Sequence, residues 1–173
     1  LSLCGGIGTV ALAARQVCEL FRLDVELRVY EVEIHSWARR LGEQLGGAAI
    51  KHKEPHDLWE WVEREEEMRA WLRVVRPQWM VMGFSCQDVS TAFKRGKGLQ
   101  GPKSSVYFAG RMIHRWALEE GCADMDSTYE CTWFKEKHPR DWRYVTEDTG
   151  CEPQCLQAEK VAPARRKRAF WST

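Results

Sequence analysis

The stretch that decides the fold is the first of the chain, Leu1-Ser2-Leu3-Cys4-Gly5-Gly6-Ile7-Gly8-Thr9. Its apolar start is typical of the end of a buried strand, and the glycines that follow predict a tight turn. From Val10 to Leu20 apolar residues recur at helical spacing. A strand, a glycine-rich turn and a helix in this order are typical of an α/β sheet that binds a nucleotide-like cofactor at the helix amino terminus.

The rest of the chain continues the alternation of strands and helices. Further strands are predicted at Val25–Glu33, Trp79–Met82, Trp142–Thr146 and Ala169–Ser172. Further helices are predicted at Ser36–Leu45, Asp57–Val75 and Ser104–Leu118, whereas residues 119–140 show no clear period. Alternating strands and helices predict a mostly parallel sheet with helices on both faces.

Length and composition indicate one ordinary globular domain spanning residues 1–173. Hydrophobic residues make up 44% and charged residues 29% of the chain. The net charge is only +1, so the basic signature of a nucleic-acid-binding protein is absent from the chain as a whole. Positive charge is local instead, with Lys94, Arg95, Lys97 and Lys103 in one cluster and residues 165–168 in another.

The cysteines and the hydropathy pattern exclude several classes of protein. Seven cysteines without a CxxC pair argue against a zinc site and against a disulfide framework. We therefore expect no metal and a reducing, intracellular compartment, nuclear in a eukaryote and cytoplasmic in a phage or bacterium. No stretch has the length and apolarity of a membrane span, so no membrane partner is expected.

Acidic residues near the glycine turn are candidates for binding a cofactor. The second predicted strand ends in Glu31-Val32-Glu33, the usual place for a carboxylate that binds ribose hydroxyls, and either glutamate could serve. Asp57 either caps the following helix or contacts an adenine edge. Because Gly6, Gly8 and Ala11 fit the pattern G-x-G-x-x-A, a nicotinamide-dependent dehydrogenase is one interpretation of the turn.

A single cysteine follows the predicted central strand, in Met82-Gly83-Phe84-Ser85-Cys86-Gln87-Asp88-Val89-Ser90. Loops at the carboxyl ends of parallel strands face the ligand crevice. Basic residues close in sequence favour the thiolate form, which is the nucleophilic one. The sequence therefore makes Cys86 a candidate nucleophile, with a buried structural thiol as the alternative.

Several segments, in order, resemble the motifs of C5-cytosine DNA methyltransferases. Residues 3–8 resemble the cofactor motif L-F-x-G-I-G, residues 33–38 the segment E-I-D-x-x-A, and Asp57 the adenine-contacting aspartate. Residues 83–87 resemble the nucleophile motif G-x-P-C-Q, and residues 101–108 its continuation D-x-R-S-x-L-F-F. Residues 144–149 resemble L-L-x-E-N-V, and residues 166–171 resemble R-x-R-x-x-W. The residues after Cys86 are most similar to the de novo branch and its phage or protist relatives.

The resemblance implies a Rossmann-like fold that uses S-adenosylmethionine (SAM) to methylate C5 of cytosine in double-stranded DNA. The catalytic residues that it implies are Cys86, Glu147, Arg166 and Arg168. The cofactor-binding residues that it implies are Leu3, Cys4, Gly6, Ile7, Gly8, Glu33, Ile34, Asp57 and Val106. Cys86 would attack C6 of a cytosine flipped out of the duplex, and Glu147 would hold or protonate N3. The family also has a C-terminal target-recognition domain, so residues 1–173 are expected to be a truncated catalytic domain.

Four positions depart from the family pattern. Ser85 stands where a proline usually stiffens the loop before the nucleophile, and Cys4 where a Phe is expected beside the adenine. Asp148 replaces the Asn beside the catalytic glutamate, and Ala164 replaces a Gln. These departures leave two further hypotheses open, a catalytically silent module that binds SAM or a protein partner, and an enzyme of the same fold that methylates RNA such as tRNA.

Overall fold

A computed structural model describes residues 1–6, 8–46, 50–157 and 167–173. Its strands are β1 (Ser2–Leu3), β2 (Val29–Val32), β3 (Ile50–His52), β4 (Trp79–Gly83), β5 (Asp126–Thr132), β6 (Gln154–Gln157) and β7 (Lys167–Ser172). Its helices are α1 (Thr9–Leu20), α2 (Ser36–Gly46), α3 (Leu58–Glu63), α4 (Glu65–Val75), α5 (Val106–Glu119) and α6 (Pro139–Thr149). A 3₁₀ turn covers Gly98–Gln100.

The strands form one mixed sheet in the order β3-β2-β1-β4-β5-β7-β6. Strands β1 to β5 pair in parallel, whereas β7 runs antiparallel to both β5 and β6. Each of the first four strands is followed by helix before the next strand begins, as parallel pairing requires. The predicted α/β class and mostly parallel sheet are confirmed.

Helices cover both faces of the sheet, as predicted. Ala11 of α1 packs against Val29 and Ile50 on one face. On the other face α5 lies so close to the sheet that a Cβ on Gly110 would overlap the Met82 sulfur. The main core is on this second face and includes large, fully buried side chains, each stabilising the fold by about 1.5–3 kcal/mol.

One predicted strand is wrong, because Trp142–Thr146 lies inside helix α6. Pro139 occupies the first turn of that helix, where its missing N–H is not needed, and Gly150 closes the helix with a φ of 70°. The two buried residues of α6, Trp142 and Val145, are three positions apart and so share a helix face. Both the strand and the helix interpretation fit a run this short, and in the structure the Trp142 N–H donates to the His138 carbonyl four residues earlier, at 2.9 Å, as in a helix.

Strand β5 lies within residues 119–140, for which the sequence predicted no element. Its buried positions Ser127, Tyr129 and Cys131 alternate with more exposed Thr128 and Glu130. Polar or small side chains occur on both faces of this strand, and the apolar alternation that marks most strands is therefore weak. The predicted helix at Asp57–Val75 is also interrupted at Arg64, which separates α3 from α4.

Candidate active site

The candidate site lies where the sheet order changes direction, at the carboxyl ends of β1 and β4. From β1 the chain proceeds outward to β2 and β3, and it then returns to place β4 on the other side of β1. Adjacent loops therefore diverge at this point and leave a crevice, which is where open α/β sheets bind ligands. The glycine turn and the Cys86 loop are the two loops at this crevice.

The glycine turn is built from residues with left-handed backbone conformation. Cys4, Gly6 and Gly8 have φ values of 56°, 63° and 75°. The N–H of Cys4 donates to the Val32 carbonyl at 2.8 Å, which joins the turn to the end of β2. Gly6 has no described atom within 4 Å of the place where a Cβ would stand, so this part of the turn is open to a ligand.

Glu33 is the carboxylate that faces this turn. Its Oε2 accepts a hydrogen bond from the Gly6 N–H at 2.9 Å, and its Oε1 accepts one from the His35 N–H at 2.8 Å. Burial, Glu33 and Asp57 raise the pKa of the Cys4 thiol to about 12, in that order of importance. Cys4, Glu33 and Asp57 therefore lie within electrostatic reach of one another, and the Cys4 thiol stays protonated at neutral pH.

Glu31 lies behind the turn rather than in front of it. Its side chain is fully buried, and a Cβ on Gly5 would overlap its Oε1. The His52 Nδ1 is 3.3 Å away, yet neither carboxylate oxygen has a hydrogen-bond partner among the described residues. Burial, and secondarily Glu33, raise the pKa of Glu31 to about 7. Glu33 is also buried, at 6% exposure, and of the two glutamates left open by the sequence it is the one that is hydrogen-bonded to the glycine turn itself.

An open pocket beside the turn brings together two of the predicted cofactor residues, Ile34 and Asp57, with Pro55 and His56. Ile34 is 57% exposed and offers an apolar surface at its edge. Asp57 caps α3, since its Oδ1 accepts a hydrogen bond from the Trp59 N–H at 2.8 Å. The cap is thus confirmed, and it uses one of the two carboxylate oxygens.

The remaining predicted cofactor residues lie in different surroundings. Leu3 is fully buried, and its Cδ1 would be 3.7 Å from a Cβ on Gly110 of α5, so its side chain belongs to the core and not to the crevice surface. Val106 begins α5 and packs against the main core. Gly8 directly precedes α1 and has little room, because a Cβ there would be 2.8 Å from the Ile50 side chain. Ile7 lies outside the described residues.

Cys86 lies in the loop that follows β4 and is half-buried. Its carbonyl accepts hydrogen bonds from the N–H groups of Val89 and Ser90, at 3.2 and 2.7 Å, so the residues after the thiol form a tight turn. Phe84 anchors the loop in the core by packing on Tyr107. The position after a central strand, at the crevice, is the one predicted for the nucleophile.

Glu130 is a carboxylate at this site that the sequence did not single out. Strand β5 pairs Glu130 with Gly83 of β4, and a Cβ on Gly83 would be 3.5 Å from Glu130 Oε2 and 3.7 Å from the Cys4 carbonyl. Arg168 of β7 binds it, with Nε 2.6 Å from Glu130 Oε1. An acid and its arginine partner thus stand between the ends of β1, β4 and β5. Because β5 was not recognised in the sequence, no signal pointed to Glu130 before its pairing was known.

Besides Cys86, three catalytic residues were predicted, and among the described residues Arg168 is the one that lies at the Glu130 site. Arg168 lies beside Glu130, whereas Arg166 lies outside the described residues. Glu147 is exposed and lies near the end of α6, where the sequence had predicted the end of a strand. Its neighbour Asp148 is turned toward α5, where Oδ2 accepts hydrogen bonds from Arg111 Nε at 2.7 Å and from the Tyr107 hydroxyl at 2.6 Å.

The basic residues after Cys86 are displayed on the surface. The exposed group consists of Lys94, Arg95, Lys97 and Lys103. Lys137 holds the segment before them, because its Nζ donates to the carbonyls of Ser90 and Phe93 at 2.6 and 2.5 Å. Exposed positive charge beside a candidate nucleophile suits a polyanionic substrate.

Comparison with family models and curated proteins does not assign the chain to a family. No protein-family model matches the chain, and no curated protein matches it either.

In the described part of the chain, no group of three or more His, Cys, Asp or Glu side chains could hold a metal ion. None of the helices within the same residues has the length and apolarity needed to cross a membrane.

Proposed function

We propose that this protein is a SAM-dependent methyltransferase that acts on C5 of cytosine in DNA through a covalent adduct with Cys86. The observation that carries the proposal is the meeting, at one crevice, of the glycine turn with Glu33, the Cys86 loop, and the Glu130–Arg168 pair. A cofactor cradle, a thiol nucleophile and an acid held by an arginine are the groups that this reaction needs.

The sheet is consistent with the Rossmann-like fold of such enzymes. The order β3-β2-β1-β4-β5 is shared with doubly wound dinucleotide-binding sheets, whereas the antiparallel β7 between β5 and β6 departs from them. The departure has a chemical consequence, because β7 carries Arg168 to Glu130.

The residues around the turn fit SAM. Gly6 leaves open space for a ligand, the Glu33 carboxylate stands where ribose hydroxyls bind, and Ile34 and Asp57 line the adjoining pocket. When bound, SAM supplies the methyl group that is transferred to C5. Cys4 stands where an aromatic residue would contact an adenine, and it offers a smaller apolar surface for that contact.

In the proposed reaction the Cys86 thiolate adds to C6 of a cytosine, which makes C5 nucleophilic. Glu130, rather than Glu147, acts in its protonated form: it donates a hydrogen bond to the unprotonated N3 and transfers that proton as Cys86 adds, so that negative charge does not build up on the ring. Arg168 keeps the Glu130 carboxylate in place. C5 would take the methyl group as its bond to the cofactor sulfur breaks, which would leave a neutral thioether. A water molecule would then accept the C5 proton while N3 returns its proton to Glu130, and the Cys86–C6 bond would break to release the thiolate.

The substrate must leave its stack to reach this crevice. Flipping a base out of a duplex costs a few kcal/mol, which contacts to the backbone must offset. Lys94, Arg95 and Lys97 are exposed beside the nucleophile loop and provide such contacts with phosphates. We therefore expect binding to weaken steeply with salt.

The deciding experiment is trapping with a duplex that carries 5-fluorocytosine in randomised sequence context, in the presence of SAM. Fluorine at C5 cannot leave as the proton does, so a working enzyme stays attached to its substrate. We expect a denaturant-stable adduct with the wild type and none with Cys86→Ala. Glu130→Gln should slow adduct formation by about 10²-fold, the scale of general acid–base help, whereas Glu147→Gln, its matched control, should stay within about twofold of wild type.

The remaining outcomes distinguish the competing functions. An adduct with 5-fluorocytosine RNA and not with DNA would make the protein an RNA methyltransferase. A SAM-dependent rise in melting temperature without an adduct to either nucleic acid would leave a silent SAM-binding module. Stabilisation by NAD and not by SAM would replace the whole proposal with a dehydrogenase.

A further inference from the structure

Asp88, two residues after Cys86, is the centre of a buried hydrogen-bond cluster. It is only 5% exposed, and its Oδ2 accepts hydrogen bonds from the backbone N–H groups of Lys103 and Ser104, at 2.8 and 3.1 Å. Its carbonyl accepts a third from the Gly98 N–H at 3.1 Å. Hydrogen bonds to a carboxylate are among the stronger ones, so this cluster ties the Cys86 loop firmly to the segment before α5.

Ser104 makes the second half of the same connection. Its side chain is fully buried, and its hydroxyl donates to the Ser85 carbonyl at 2.7 Å and accepts from the Asp88 N–H at 3.2 Å. One hydroxyl thus bonds the backbone on both sides of Cys86. We call Asp88 and Ser104 together the loop latch.

Two glycines allow the chain to close around this latch. A Cβ at Gly96 would overlap the Asp88 carbonyl oxygen, and one at Gly101 would overlap the Asp88 Cγ. No larger residue fits at either position without displacing Asp88. The segment 96–104 is therefore shaped to enclose Asp88, which is more than the capping of one turn requires.

We propose that Asp88 and Ser104 are positioning residues that hold the Cys86 thiol in place for reaction, doing what the ring of a proline at position 85 would otherwise do. Ser85 lacks that ring, and the bond from Ser104 to its carbonyl restrains the same stretch of backbone. The proposal rests on the proposed function in that Cys86 is the attacking group. It adds that the reactivity of Cys86 depends on two residues that never touch the base.

The test compares Ser104→Ala and Asp88→Asn with Ser105→Ala, a matched control whose hydroxyl donates to the Pro102 carbonyl within its own turn. Single-turnover trapping on 5-fluorocytosine DNA with SAM is measured against DNA concentration. Because misplacing a reacting group by an ångström can cost about 10²-fold, we expect Ser104→Ala to lower the saturating rate at least about tenfold. The DNA concentration for half-maximal rate and the SAM-induced thermal shift should not change, and Asp88→Asn should give an intermediate loss.

A second measurement on the same variants does not require methyl transfer. Alkylation of Cys86 by iodoacetamide is followed by mass spectrometry, with the exposed Cys155 as internal reference. Loosening the loop exposes the half-buried thiol, so we expect alkylation to rise about threefold or more while trapping falls. A uniformly destabilised fold would instead also change the thermal shift and the half-maximal DNA concentration.

The outcomes keep the two proposals apart. If the wild type traps DNA and both variants trap it at the same rate, the positioning role is overturned and the proposed function stands. If the wild type forms no adduct, the proposed function fails. The alkylation of Cys86 then serves as the only test of the loop latch. Unchanged alkylation in both variants would then overturn the loop latch, and an increase would support it.

Discussion

Glu31 and Asp88 are buried carboxylates on opposite sides of the crevice, and they differ in their hydrogen bonding. On the side of the glycine turn Glu31 is fully buried beneath Gly5, and neither of its carboxylate oxygens has a hydrogen-bond partner in the described residues. On the side of the Cys86 loop Asp88 is almost as well buried, but two backbone N–H groups donate hydrogen bonds to its carboxylate. The pKa of Glu31 is raised to about 7 by burial, the expected response of an acid without partners.

The difference shows that the Asp88 carboxylate beside the Cys86 loop is satisfied by the protein itself, whereas burial without hydrogen bonds disfavours the charged form of Glu31. Burial of a carboxylate destabilises the fold little when N–H groups donate hydrogen bonds to it, and much more when none do. Both acids lie against a glycine, Gly101 at Asp88 and Gly5 at Glu31, which makes the two sides directly comparable by substitution.

The largest effect is expected from Gly101→Ala. Its methyl group would collide with the Cγ of Asp88, which is fixed by its hydrogen bonds, so we expect the free energy of unfolding to fall by roughly 3 kcal/mol, the upper end for overpacking. Gly5→Ala meets a longer side chain with no hydrogen bonds to lose, and roughly 1 kcal/mol is expected. Urea unfolding of both variants at pH 7 measures the difference. Equal losses would show that Glu31 is as firmly held as Asp88.

A smaller effect with a distinct pH profile is expected from Glu31→Gln. In the folded protein the pKa of Glu31 is about 7 against an ordinary value of 4.5, so the wild type loses stability as pH rises from about 4.5 to about 7. The full penalty is roughly 3 kcal/mol, and because the buried amide also lacks partners we expect about 2 kcal/mol of stabilisation at pH 8. At pH 4.5, where Glu31 is largely protonated in the folded protein, the cost of the buried amide remains, and we expect the variant to be about 1 kcal/mol less stable than the wild type.

The control for this profile is Glu66→Gln on the exposed face of α4, which should leave the pH dependence of unfolding unchanged. Urea denaturation at pH 4.5, 6 and 8 suffices. A Glu31→Gln variant that is equally destabilised at every pH would show that the Glu31 carboxylate is partnered in solution.

The smallest effect is expected from Glu33→Gln, which also tests whether the glycine turn and the Cys86 loop behave independently. Losing one charged acceptor at the glycine turn should weaken SAM binding about tenfold, or about 1.4 kcal/mol. Calorimetry with SAM measures this, and alkylation of Cys86 by iodoacetamide should match wild type. A change in Cys86 alkylation would mean that the two sides of the crevice are coupled rather than independent.

Short-range features of the site could be predicted from the sequence. The strand, turn and helix at residues 1–20, the carboxylates at the end of β2, the cap at Asp57 and the cysteine after β4 all depend on neighbours within a few positions. Glycine conformation, helix capping and strand alternation are local properties, and they are visible in a short stretch of sequence.

The sequence did not predict Glu130 as the carboxylate beside the Cys86 loop. The resemblance implied Glu147 at the end of a predicted strand, but these residues form helix α6, which leaves Glu147 exposed to solvent. Glu130 becomes visible only once β5 pairs with β4 and β7, because that pairing joins it to Gly83 and Arg168, 47 and 38 positions away. Strand pairing depends on register across the whole sheet, and a weakly alternating strand carries little of that information itself.

The sequence by itself thus determined the class of sheet, the glycine turn and the loop that carries Cys86, since each follows from residue types at close spacing. Only the tertiary structure decided that Glu33 and not Glu31 faces the turn, that Glu130 stands beside the nucleophile loop, and that Asp88 and Ser104 hold this loop. Each of these depends on which side chains from distant segments are brought into contact and which are left without hydrogen-bond partners. Burial and hydrogen bonding between distant segments arise only in the packed molecule, and they distinguish the roles of the carboxylates.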